Sequence, residues 1–189
     1  MALAPFDSVD LTALRWMRDD SGGNSFSLKS GDTTIATLVW NKPRGSLATA
    51  VTTEGRWTLK RTGFVRTHLT ARPEGSTTDV ARLVSALADH RIEIANGPIY
   101  DMKHTSRLVP AWSIRPDGTD TEIVSIESVR EGRKLDGAIY EVEVDPKTLP
   151  DLPMLLLLSW YFIVLEWFED EVAGEWADHA EGGLRLGAP

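Results

Sequence analysis

The side chains best placed to titrate or to hold a metal are four histidines, His68, His90, His104 and His179. No two of them stand at a metal-ligand spacing, and the chain has no cysteine to complete a set. Asp101-Met102-Lys103-His104 brings a carboxylate and an imidazole close in sequence, with nothing beside them to complete a catalytic group. The chain lacks a Gly-x-Ser-x-Gly elbow, a Gly-rich phosphate loop and a His-Glu-x-x-His pair. Glu141 and Glu143 share one face of an alternating segment, where they read as solvent-facing neighbours of Tyr140, Val142 and Val144. These residues name no reaction. The expectation is a protein with no catalytic residue, no metal site and no cofactor.

One cluster of side chains remains. Arg56, Lys60, Arg61, Arg66 and Arg72 gather in adjacent predicted strands and turns. Such a patch suits phosphate headgroups, each cation contributing about 1 kcal/mol near an anionic surface. The same pattern is also what an ordinary solvated strand face carries.

Those cations lie in a series of short segments with period-two alternation, separated by turn chemistry. Ser25–Lys29, Thr33–Trp40, Leu47–Thr52, Arg56–Arg61, Phe64–Thr70, Arg91–Ile94, Ile99–Lys103, Val109–Ile114, Glu122–Glu127 and Ala138–Val144 all read as strands. Leu11–Arg18 reads as a strand or a short amphipathic turn. Val80–Leu87 fits strand or helix, with strand favoured by its neighbours. Asn96-Gly97 is a strong hairpin signal, and Arg130–Gly137 reads as a charged loop. The total is about twelve strands.

The chain is organised around its last apolar run, Leu152 to Phe168. Leu155, Leu156, Leu158, Trp160, Phe162, Ile163, Leu165 and Trp167 leave no helical face for water, so protein or lipid must enclose this helix. From Pro153 to Phe168 it is roughly 24 Å long, short for a bilayer core of about 30 Å. Glu166 lies in its last turn, Glu169, Asp170 and Glu171 follow, and no basic residue comes until Arg185. Length and flanking charge therefore favour a helix enclosed by protein, expected over 152–172 and capped by Asp151. A single membrane span through 152–168, or pairing with another chain, are the other readings. Trp57, Trp160 and Trp167 sit on apolar patterns and are expected in the core.

An antiparallel sheet of this many strands removes its edges by closing into a barrel. A barrel that wide has a lumen its own side chains cannot fill. The expected fold is therefore all-β: a closed antiparallel barrel of about twelve strands around a buried hydrophobic C-terminal α-helix. At 189 residues this is one domain, 1–175, followed by an acidic, flexible tail, 176–189. Net charge is −8, but residues 145–189 hold nine acids and two bases (−7), leaving the first 144 residues, with nineteen acids and eighteen bases, at −1. That balance argues against nucleic-acid binding. Met1–Asp7 has neither the basic nor the apolar region of a secretory signal, so a cytoplasmic location is expected.

The pattern resembles the tubby-like superfamily, which includes the tubby C-terminal domain, LURP-one-related proteins and phospholipid scramblases. The resemblance rests on Phe26–Trp40, Gly55–Phe64, Ala138–Val144, Leu149-Pro150-Asp151-Leu152-Pro153 and the Leu155–Phe168 helix. It implies a twelve-stranded barrel around a hydrophobic helix and a non-enzymatic binding or scaffold module. The partner it implies is a lipid headgroup, phosphoinositide-like, or another protein, met by a monomer peripheral to a membrane. A scramblase-like member would instead use the same helix as its membrane contact. No family ligand residue maps onto this chain.

Overall fold

The computed structural model describes residues 2–19, 24–63, 67–85, 89–106, 110–131 and 134–184. Twelve strands follow one another: β1 (Leu14–Arg18), β2 (Ser25–Ser30), β3 (Thr33–Trp40), β4 (Leu47–Thr52), β5 (Gly55–Thr62) and β6 (His68–Pro73), then β7 (Ala81–Ser85), β8 (Asp89–Ile94), β9 (Ile99–Ser106), β10 (Ala111–Pro116), β11 (Val124–Glu131) and β12 (Lys134–Val142). Each pairs antiparallel with its sequence neighbours, and β1 closes the ring on β12 with Leu14 opposite Tyr140 and Trp16 opposite Ala138. The barrel leaves no free edge. One α-helix, α1 (Leu152–Leu184), starts inside it.

Alternation decides which side chains face in. Leu14 and Trp16 of β1, Phe26 and Leu28 of β2, and Leu38 and Trp40 of β3 are all buried. So are Ala48 and Ala50 of β4, and these small residues sit opposite Trp40 and Leu38, leaving room for the larger side chains. From Leu155 to Val164 every described helix side chain is buried, with Trp160 and Tyr161 wholly so. Trp160 stacks on Trp16 with centroids 5.8 Å apart and meets Phe26 edge-on at 5.2 Å, while Tyr161 stacks on Trp40 at 5.6 Å. The Tyr140 hydroxyl and Ser159 Oγ, both buried, satisfy one another at 3.1 Å. The lumen is thus filled by the helix, and the helix is shielded by the lumen.

Several boundaries differ from the sequence expectation. The α1 backbone continues to Leu184, beyond the expected 172, because Ala173, Ala177 and Ala180 with interspersed Glu are good helix formers and no proline interrupts them. The expected loop Arg130–Gly137 is mostly strand, since β11 runs to Glu131 and β12 starts at Lys134, with a register shift at Val129/Arg130 absorbing the irregularity. The Asp151 carboxylate does not cap α1. It accepts a hydrogen bond from the Tyr100 hydroxyl at 3.0 Å, and its backbone carbonyl accepts from the Leu155 N–H. Val80–Leu87 contains β7, as favoured, with Ala86 and Leu87 outside the described residues; so are Phe64–Arg66 and Val109, parts of two expected strands.

Candidate functional site

The two ends of the barrel differ. At the lower end, where α1 begins, the turns carry Asp32, Glu54, Asp117, Asp120, Glu122 and Asp145. At the upper rim, where α1 leaves, strand ends and turns carry Arg18, Lys42, Arg44, Arg61, Arg130 and Lys134. The upper rim also carries Asp19, Asp89, Asp136, Glu166, Glu169 and Asp170, and the lower end Lys29, Arg56, Arg72, Arg115 and Lys147, so the lower end is acidic while the cations of the upper rim are interspersed with acids. Met17, Val39 and Val129, the large apolar side chains most exposed among the described residues, lie close to the same rim. Met17 and Val129 both oppose Gly137, from β1 and from β11, so they share one stretch of outer wall.

Of the predicted cation patch, Arg56, Lys60 and Arg72 come together on the outer face of β5–β6, with Arg72 opposite Thr58, while Arg61 turns inward. Arg56 is outward on β5 near the lower end and pairs with Glu74 at 3.4 Å. Arg72 of β6 holds Asp79 at 2.7 Å. Lys60 is outward and exposed. Arg61 has the inward parity of Leu59, reaches the upper rim and pairs with Glu169 of α1. Arg66 lies outside the described residues. Three of the four described cations thus already have a carboxylate partner. The alternation of β5 does place Arg61 on the side opposite Arg56 and Lys60, but its partner, 108 residues away, has no local sequence signal.

Three recesses ring α1 at the upper rim. One, about 300 Å³, lies between the helix and β5–β7 and is lined by Arg61, Leu69, Leu83, Phe162, Glu166 and Glu169, among others. A second, about 340 Å³, includes Arg44 and Phe168. A third, about 290 Å³, includes His104, Trp112, Arg130, Glu166 and Asp170. Glu166 therefore stands between the first and the third. Burial, with Asp170 adding repulsion, raises its carboxyl from an ordinary 4.5 to about 7.

The histidines of the rim are separately engaged. The His90 ring packs on Phe162 at 4.4 Å, its Nδ1 meets Ser85 Oγ at 3.0 Å, and burial lowers its pKa. His104 packs on Trp112 at 4.8 Å, whereas Asp101 faces the other side of β9 and meets Arg91 at 3.4 Å, so these two form no dyad. His68 is at the start of β6, and His179 lies on the helix extension. Among the described residues no group of three or more His, Cys, Asp or Glu is placed to hold a metal. Arg18 reaches over Phe26 at 4.9 Å and Trp167 at 5.0 Å while donating to the Leu135 carbonyl at 2.8 Å, so it braces the rim. Tyr161 ties the helix to the β3–β4 turn by donating to the Ser46 carbonyl at 2.5 Å.

No protein-family model matches the chain, and no curated protein or solved structure is significantly similar to it.

Proposed function

We propose that the chain is a non-enzymatic binding module of tubby-like build, which sets its upper rim against a membrane surface carrying anionic headgroups. The observation that supports this is the placing of exposed Lys42, Arg44, Arg130 and Lys134 at the rim that also exposes Met17, Val39 and Val129. Exposed Lys and Arg beside a few apolar side chains are what a headgroup layer attracts. The site is thereby moved from the β5–β6 wall to the rim, because Arg56 and Arg72 already hold Glu74 and Asp79. On this reading α1 stays in the barrel, where 83% of the apolar window Leu152–Asp170 is buried, and the protein docks peripherally.

Flotation with liposomes, with and without anionic lipid and over a salt series, is the test. The proposal expects flotation that needs anionic lipid and fades with salt. Replacing Lys42, Arg44 and Arg130 together by alanine removes about 3 kcal/mol, a loss of roughly 100-fold in partitioning. Salt-resistant flotation favours the reading in which helix 152–168 enters the bilayer. Absence of flotation overturns the membrane reading and directs the search to a protein partner.

A further inference from the structure

We infer that the recess between α1 and the β5–β7 wall is a binding site for a small amphiphile with an ammonium head and an apolar body. Its floor is made by Leu69, Leu83, Phe162 and Leu165. Its volume, about 300 Å³, is at the small end of ligand pockets. Three charged groups stand at its mouth: Arg61, Glu166 and Glu169. Arg61 and Glu169 pair with each other. Glu166 has no ion-pair or hydrogen-bond partner among the described residues.

That arrangement selects a sign. A partly buried carboxylate without a cation is costly, and an ammonium seated beside it relieves the cost. An anionic amphiphile would meet Glu166 and Glu169 and would have to take Arg61 from its partner. A neutral one would fill the floor and leave Glu166 as it is. Occupancy of this recess is independent of membrane docking, since a single molecule fills it and binding is read without vesicles.

The groups around Glu166 set the pH behaviour. They are Glu169 and Asp170 on α1, Arg61 on β5, His90 on β8, His104 on β9 and Arg130 on β11. Below about pH 6 Glu166 is protonated, which disfavours a cation.

Octylamine, octanol and octanoate, compared by calorimetry with the whole chain at about pH 8, test the assignment. The expected result is that octylamine binds roughly tenfold or more tighter than either. The advantage disappears in Glu166→Gln while octanol binding is retained, which shows that the recess is still formed. Arg61→Gln frees the Glu169 carboxylate and is expected to tighten octylamine binding. Methyl shifts on octylamine addition are expected at Leu69 and Leu83. Equal binding of the three probes, an amine preference that survives Glu166→Gln, methyl shifts elsewhere, or no binding by any probe would each overturn it.

Discussion

Replacing Trp160 by alanine tests whether the helix is the core. The side chain is 0% exposed, stacks on Trp16 and meets Phe26 edge-on. A buried tryptophan removes up to about 250 Å² from water, an upper bound of roughly 6 kcal/mol at 25 cal/mol per Å². Losses for large-to-alanine changes at such sites are about 3–5 kcal/mol. One contribution has the opposite sign: the Trp160 Nε1 donor is buried without a partner. Removing it recovers part of a penalty of about 1–3 kcal/mol. Trp160→Phe keeps most of the ring contact and discards the unpaired donor, so its net cost is expected to be about 1 kcal/mol or less. Against a total stability of about 5–15 kcal/mol, Trp160→Ala is severe. At about 2–4 °C per kcal/mol for a chain of this size, its Tm falls by roughly 6–20 °C. Thermal and urea unfolding of both variants is the assay. A Trp160→Ala loss below about 1 kcal/mol would refute the enclosed-helix packing. A Trp160→Phe loss as large as that of Trp160→Ala would refute the role given to the unpaired donor.

Three further outcomes follow from single contacts. Gly137→Ala puts a Cβ 2.0 Å from the Trp16 carbonyl oxygen, across the β1–β12 pair that closes the barrel. Its loss in urea unfolding is expected at or beyond the upper end of the usual overpacking range of about 1–3 kcal/mol. Tyr140→Phe removes the hydroxyl partner of Ser159, which keeps the Leu156 carbonyl as acceptor, so the expected cost is about 1 kcal/mol. Glu166 titrates near 7 in the fold and near 4.5 when unfolded, so the folded state holds its proton to higher pH. The Glu166 contribution to stability is therefore greatest below 4.5, declines as pH rises to about 7 and is flat above. Glu166→Gln is expected to remove that decline in a series of melts across the window, and an unchanged slope would contradict it.

The alternation of Arg56, Trp57, Thr58, Leu59 and Lys60, and the turn chemistry between such segments, make twelve strands legible in the amino-acid sequence. Gly31, Gly75 and Gly118 take the positive φ that their turns require, and Asn96 does the same in the β8–β9 connection. The enclosed helix follows from arithmetic on the apolar run and from the problem of filling a wide lumen. What local pattern does not carry is long-range. Neither the pairing of Arg61 with Glu169 nor the release of Asp151 to Tyr100 has a local signature, because each joins a barrel strand to α1 or to the residue just before it, far along the chain. Arg130–Gly137 reads as a loop because its charges mask the alternation of two strand ends. Glu166 reads as the end of an apolar run, and only the closed barrel places it at a recess. The gathering of Lys42, Arg44, Arg130 and Lys134 at one rim is hidden as well, since they are far apart in sequence and only the topology brings them to the same end.

Amide hydrogen exchange with and without anionic liposomes tests the central claim most directly, because it reads the helix and the rim together. Amides from Leu155 to Phe168 are expected to be among the slowest in the chain and to stay so when liposomes are added. Amides near Lys42–Arg44 and Arg130 gain protection instead. Fast exchange of the helix in water, or a change confined to the helix on lipid addition, would contradict it.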